Sequence, residues 1–295
     1  MGKVSIQKPE TALTLAGIAA ALLIAYVIAR GNVWLASYRN NAALWDLSAG
    51  ALVRITVING GDELVFENSA TDGWELTLPQ GVPYDKAIAE ALPLTLAALQ
   101  AEKEIDAAPL SDFALDEPVI IRAVARTSSA GAHVHSAQTA PPQFSETEYE
   151  LLLGGKNSDG SSRYFSAGGK IYTMDAAAAA ALTLDSLNVR DKNVLHLNRS
   201  LRLADIAAKM SNIRVDGEAR PELSDALARL NADTFIGETV FETERVIEFD
   251  YSGEARTLYL GTLSPDGVYY YAKTPDSDVV FTLLRRSLGG ILRDF

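Results

Sequence analysis

Groups able to do chemistry are few in this chain, and they are scattered. Three histidines are present, His133, His135 and His196. The His133-x-His135 spacing puts both rings on one face of an extended segment, a pair that binds a metal once a third ligand is supplied. That pair lies in a Ser- and Ala-rich stretch with no carboxylate close in sequence, so no metal site is expected. His196 reads as a boundary residue. No Gly-x-Ser-x-Gly elbow occurs, and Gly155-Lys156 and Gly169-Lys170 lack the spaced glycine and following Ser/Thr of a phosphate-binding loop. Carboxylates are so plentiful that any acid/base pair picked from the sequence is arbitrary. There is no cysteine, which excludes thiol nucleophiles, zinc-thiolate sites, disulfides and a lipidated N-terminal cysteine. The chemistry points away from an enzyme, with no catalytic residue, cofactor or metal expected.

One charged pair recurs. Arg190-Asp191 and Arg293-Asp294 close two similar stretches of chain. A binding feature used twice is one reading. The simpler one is an arginine that pairs with a carboxylate or caps carbonyls inside its own module.

These pairs belong to a longer repeat. Leu151-Leu152-Leu153-Gly154 leads through Asp159-Gly160, Tyr164-Phe165 and Tyr172-Thr173-Met174 to Val189-Arg190-Asp191. Leu258-Tyr259-Leu260-Gly261 leads through Asp266-Gly267, Tyr270-Tyr271 and Phe281-Thr282-Leu283 to Leu292-Arg293-Asp294. Equal order and similar spacing indicate a duplicated module. Features shared by both copies are then parts of a fold.

The elements follow from periodicity. Leu52 to Ile58 alternates, with Val53, Ile55 and Val57 expected on one side, and Gly60-Gly61 turns it into Leu64–Glu67 and Trp74–Leu78. Asp85 caps a predicted helix over Lys86 to Glu102, which Pro93 should kink or restart. Strands are predicted over Val119–Arg126, Tyr149–Leu153, Arg163–Ser166 and Ile171–Met174, and Asp175 caps an Ala-rich helix running toward Leu187. The second copy reads as abridged: Ile213–Val215, a helix over Pro221–Leu230, a hairpin around Ser252-Gly253, Val268–Ala272, Val279–Leu283 and a last helix ending at Arg293. The copies differ most between the paired strands. Copy two turns within Tyr251–Glu254, whereas copy one has Thr127–Ser145, which includes Pro141-Pro142. A stretch of that length without periodicity is disordered or used for contact, and disorder is the simpler reading.

From Thr11 to Ile28 the chain carries no charge, and as a helix this would span roughly 27 Å, about a bilayer hydrocarbon core. A cleaved signal peptide is the rival reading, with Val27-Ile28-Ala29 as a cutting site; a retained anchor is favoured by length. Lys3 and Lys8 precede it and favour a cytoplasmic N-terminus, although Arg30 and Arg39 follow it. Tyr26, Trp34 and Tyr38 suit the far interface. Gly17, Ala21 and Ala25 recur every fourth residue, a small-residue face on which another membrane helix can pack. The formal net charge of -12, with no clustered Lys/Arg, makes nucleic acid an unsuitable partner.

The motif series resembles a known family. Trp74 with Leu76, Leu78 and Pro79 comes first, then Leu96-x-x-Leu99-x-Ala101. Phe113-Ala114-Leu115-Asp116-Glu117-Pro118 follows, with Ala114 where the family pattern has glycine, and Leu151-x-Leu153-Gly154, Tyr172 and Val189-Arg190-Asp191-Lys192 complete it. The stretch from Val53 to Phe295 resembles the domain-of-unknown-function family 4340. The resemblance implies a single N-terminal anchor helix and association with ABC-type, gliding-motility-like transporters. It carries no catalytic residues.

The expectation is an α+β protein: an N-terminal transmembrane helix followed by two repeated modules of antiparallel sheet plus helices. Residues 1–45 would hold the cytoplasmic tip, anchor and connector, 46–198 the first module and 199–295 the second. The expected role is a non-enzymatic accessory or scaffolding subunit of a bacterial inner-membrane complex, its bulk in the periplasm. Gly17, Ala21 and Ala25 would pack on other integral membrane subunits. Trp34, Tyr38, His133, His135, Pro141 and Pro142 would be available to periplasmic protein partners. The alternatives are a periplasmic module holding a glycan, lipid or peptide between its two halves, or a structural subunit of a photosynthetic or respiratory complex.

Overall fold

The computed structural model describes residues 43–106, 109–128, 144–237, 239–277 and 279–289. The anchor over Thr11–Ile28, its small-residue face, Trp34, Tyr38, His133, His135, Pro141, Pro142 and the Arg293-Asp294 pair lie outside the described residues. Among the described residues no helix is long and apolar enough to cross a membrane.

Two antiparallel sheets with a few short helices make the chain α+β. The first sheet is built from β1 (Leu52–Asn59), β2 (Asp62–Ser69), β3 (Gly73–Leu78), β4 (Lys103–Ile105), β5 (Val119–Ser128), β6 (Phe144–Lys156), β7 (Ser162–Ala167) and β8 (Lys170–Asp175). Helix α1 (Lys86–Ala97) falls between β3 and β4, and α2 (Ala176–Leu182) follows β8. The second sheet contains β9 (Met210–Val215), β10 (Glu218–Ala219), β11 (Phe235–Gly237), β12 (Arg245–Tyr251), β13 (Glu254–Leu263), β14 (Tyr269–Lys273) and β15 (Val280–Leu284), with α3 (Leu203–Ala208) before it and α4 (Ser224–Ala228) after β10.

Strand order exposes the duplication. The first sheet runs β3-β2-β1-β5-β6-β7-β8-β4 and the second β10-β9-β12-β13-β14-β15-β11. If β9 is equated with β1, β10 with β2, β11 with β4 and β12–β15 with β5–β8, the orders coincide, and only β3 has no counterpart. In both copies the last strand added to one edge, β4 or β11, is three residues long. Such brevity leaves little unpaired backbone for another chain to extend.

Details repeat as well. The register between β6 and β7 shifts after Leu153, and that between β13 and β14 shifts after Leu260. Gly154 and Gly261 sit at those shifts. A Cβ on Gly154 would lie 2.3 Å from the Phe113 carbonyl oxygen, and one on Gly261 would lie 2.8 Å from that of Glu242. In each copy the segment leading into the long hairpin crosses this glycine, so no side chain fits. The Asp-Gly turns also match: Gly160 and Gly267 both take φ of 73°. Their amides donate to Asn157 and Ser264 carbonyls at 3.1 and 2.8 Å, while Asp159 and Asp266 accept from the Ser161 and Val268 amides.

Several boundaries differ from the sequence reading for physical reasons. A bulge between Leu52 and Arg54 turns Leu52 inward with Ile55 and Val57, so Val53 is only half-buried. Helix α1 starts at Asp85, whose carboxylate accepts the Ala87 amide at 2.9 Å, and runs through Pro93 to end at Ala97, short of Glu102. Asp175 caps α2 through the Ala177 and Ala178 amides, but the helix stops at Leu182 and a turn occupies the stretch to Leu187. The predicted Pro221–Leu230 helix divides into a 3-10 turn, Pro221–Leu223, and α4, while Leu223, Leu227 and Leu230 are all buried as expected. The Thr127–Ser145 stretch is partly strand, because β5 and β6 continue pairing through Thr127↔Ser145 and Ser128↔Phe144.

Each sheet has its own core. Leu52 to Val189 supply the first, centred on Phe66, Ile121, Leu151 and Phe165. Val194 to Leu288 supply the second, around Leu227, Ile247, Leu258 and Phe281. The chain passes between them over residues 190–193.

Candidate functional site

Arg190 is positioned by alternation. Val189, Arg190 and Asp191 run antiparallel to the stretch before α1: Asp85 donates to the Val189 carbonyl at 2.9 Å and Asp191 donates to the Pro83 carbonyl at 3.1 Å. Successive side chains on such an extended segment point to opposite sides. Val189 is fully buried in the first core. Arg190 therefore points away from it, toward the second module, where its guanidinium carbon lies 5.9 Å from the centre of the Phe235 ring.

A cleft of about 320 Å³ opens at this junction. The first module contributes Gly81, Val82 and Pro83, the connector Arg190 and Asp191, and the start of the second module Val194 and His196. The second module closes the far side with Phe235, Phe281 and the β14–β15 turn. His196 has φ of 51° and its Nε2 lies 3.2 Å from an Asp276 carboxylate oxygen in that turn. Burial pushes the Asp276 carboxyl up, but hydrogen bonds from Thr274, the backbone and His196, with the charge of His196, outweigh it and hold the group below its usual value. Asp191 accepts the Asn193 amide at 2.9 Å.

Three arginines are half-buried and held below the usual guanidinium range by loss of solvent: Arg163, Arg190 and Arg199. Arg163 gives Nε to the Gly154 carbonyl and Nη1 to the Thr183 hydroxyl at 2.7 Å. Arg199 closes the end of α4 through the Ala228 and Leu230 carbonyls and Asn231. Both are spent inside their own modules. Arg190 gives Nε to the Ser186 carbonyl at 3.1 Å, and its two terminal nitrogens have no partner among the described residues. The sequence reading of Arg190 as a residue satisfied within its own module is thus half right: Nε stays at home, and the rest reaches across.

No group of three or more metal-ligating side chains exists among the described residues. Arg199 and the Lys192–Asp233 contact were missed by sequence reasoning, since neither lies in a repeated motif; Lys192 Nζ donates to the Asp233 carbonyl at 2.7 Å and ties the connector to the second module.

A second feature projects from the first sheet. Beyond Ala125, β5 pairs only with β6, and β6 pairs with β7 only from Leu152 onward. The result is a two-stranded ribbon with exposed side chains, braced by Arg126–Glu146 at 2.7 Å, while Arg122–Glu150 at 3.0 Å joins the same strands within the sheet. Arg126 also covers the Phe144 ring at 5.8 Å, yet Phe144 stays 58% exposed. The start of the described chain meets this same end of the sheet. Ala43 bridges Gln100, Leu44 donates to the Leu99 carbonyl, and the Trp45 ring sits 5.2 Å from that of Tyr149 on β6.

The strands, the crossing over Gly154 and the Val189–Asp191 segment carry the motifs of a family. Residues 74–200 match the family described as "Domain of unknown function (DUF4340)", so the resemblance is shown over that stretch. The match opens at Trp74 and ends at Ser200, just past Val194–Leu197 at the start of the second core and short of the Val53–Phe295 span expected from the motifs; the rest of the second module lies outside it. Ala114, where the family pattern has glycine, takes φ of 50°, the left-handed conformation that explains the usual residue. No curated protein and no solved structure matches the chain.

Proposed function

We propose that this chain is a non-enzymatic accessory subunit of a bacterial inner-membrane complex, anchored by the apolar segment Thr11–Ile28, with its two modules in the periplasm. By family resemblance the complex is an ABC-type transporter. The observation that carries the reading is the meeting of two features at one end of the first sheet. The chain enters there through Ala43–Trp45, and the β5–β6 ribbon projects there with exposed side chains. An anchored protein with this geometry turns its ribbon toward the membrane and whatever subunits stand in it.

The ribbon has what a contact device needs. Its strands are tied by cross-strand contacts, Arg126–Glu146 and Thr127–Ser145, which contribute little to global stability at the surface. Its counterpart in the second module ends in the two-residue turn Ser252-Gly253, so the extension belongs to the first module alone.

The test is co-purification of the full chain in mild detergent, read by mass spectrometry. Integral membrane subunits are expected with the wild type. Replacing Thr127–Ser145 by a turn of the Tyr251–Glu254 kind should lose them without unfolding the sheet. Replacing Gly17 and Ala21 with Leu should weaken the association through the membrane helix. A wild-type chain that elutes alone at monomer size defeats the reading.

A further inference from the structure

We infer that the cleft between the two modules is a binding site for a small organic carboxylate, with Arg190 as the residue that receives the carboxylate group. The inference stands apart from the accessory role, since it concerns neither the anchor nor the ribbon. It gives a place and a chemistry to the expectation that a ligand sits between the modules.

The assignment rests on what is left over in the cleft. Its two carboxylates are engaged: Asp191 by the Asn193 amide, Asp276 by His196 and Thr274. The Ser277 hydroxyl accepts the Val279 amide. Arg190 is the cation of the cleft with no counter-ion among the described residues, and its terminal nitrogens are the pair that grips a carboxylate through two parallel hydrogen bonds. The guanidinium carbon lies over the Phe235 ring, and the Nε bond to the Ser186 carbonyl anchors the group. A cation half-removed from water and left unpaired is costly, so a site that retains one is served by an anion that fills the place.

Size and lining narrow the ligand. A volume of about 320 Å³ lies at the small end of the range of about 300–1,000 Å³ typical of small-molecule pockets. Val82, Pro83, Val194 and Val279 offer an apolar wall for the body of the ligand. Asp276 makes a polyanion a poor fit, because a second negative group would meet it. A monocarboxylate with an apolar body satisfies all three constraints.

Saturation-transfer NMR on the full chain in detergent tests this, with benzoate and 3-phenylpropanoate as probes and benzamide and 3-phenylpropanamide as their uncharged counterparts. The acids should bind and the amides should bind about tenfold more weakly or not at all, the usual worth of a charge-assisted bidentate contact. Arg190→Met should erase the preference for the acids, and Arg190→Lys should keep part of it. Val82→Trp, which fills the cleft from the first module and leaves Arg190 intact, should abolish binding of every probe. Equal binding of acids and amides, acid binding that survives Arg190→Met unchanged, or no binding of any probe at millimolar concentration overturns the proposal. None of these results bears on the co-purification of membrane subunits.

Discussion

Gly154 and Gly261 lie where a second stretch of backbone passes over the sheet. The Phe113 carbonyl comes closer to the first than the Glu242 carbonyl does to the second, 2.3 against 2.8 Å from a Cβ built there. Both neighbours are backbone, which cannot rotate aside as a side chain can. Gly154→Ala should therefore cost about 2–3 kcal/mol and Gly261→Ala somewhat less, in the range of overpacking a core. The two sites stand in different cores, so the double variant should show the sum of the single losses. Chemical denaturation of the four proteins checks both the order and the additivity.

At the scale of elements, the hairpin joining β1 and β2 is tied to the turn after α2 by one residue. Asp62 accepts the Ser186 hydroxyl at 2.6 Å and the Ser186 amide at 3.0 Å, linking places 124 positions apart in the chain. The hydroxyl bond first, then the amide bond, hold its carboxyl below the usual range against a smaller opposing effect of burial. A depressed carboxyl gives stability that is fully present above its unfolded pKa and lost as pH falls through its lower folded value. Asp62→Asn should thus lower the melting temperature at pH 7, and the gap from wild type should close as the medium is acidified below the ordinary carboxylate range. A gap that stays constant down to pH 2 would sink this account. Asp62 also marks what the sequence left hidden. Local signals located most strands, both helix-capping aspartates and the Asp-Gly turns, because those depend on residues two or three apart. Long-range ties such as Asp62–Ser186, Arg199 with the end of α4, and the short edge strands β4 and β11 depend on tertiary neighbours, and no local pattern announces them. The cleft follows the same division: the Val189-Arg190-Asp191 motif was visible, but its partners Phe235 and Pro83 were not.

Over the whole molecule, the two cores are joined by a short connector and, among the described residues, by a set of polar and ring contacts. Lys192 reaches the Asp233 carbonyl, the Ala232 amide donates to the Lys192 carbonyl at 2.9 Å, the Arg190 guanidinium lies over the Phe235 ring, and His196 faces Asp276. Among the described residues the buried clusters are separate, one closing at Val189 and the other opening at Val194. Modules joined this lightly should unfold in separate steps, because cooperativity between them needs interface energy comparable to their own stability. Leu151 and Leu227 are fully buried, one in each core. Truncating either to Ala should cost about 2–5 kcal/mol. In calorimetry of the full chain, Leu151→Ala should lower one transition and leave the other in place, and Leu227→Ala should do the reverse. A single transition displaced equally by both variants would mean that the modules unfold as one. If two transitions are found, a ligand in the cleft should raise both and draw them together, since it binds only when Arg190 and Phe235 are both in position.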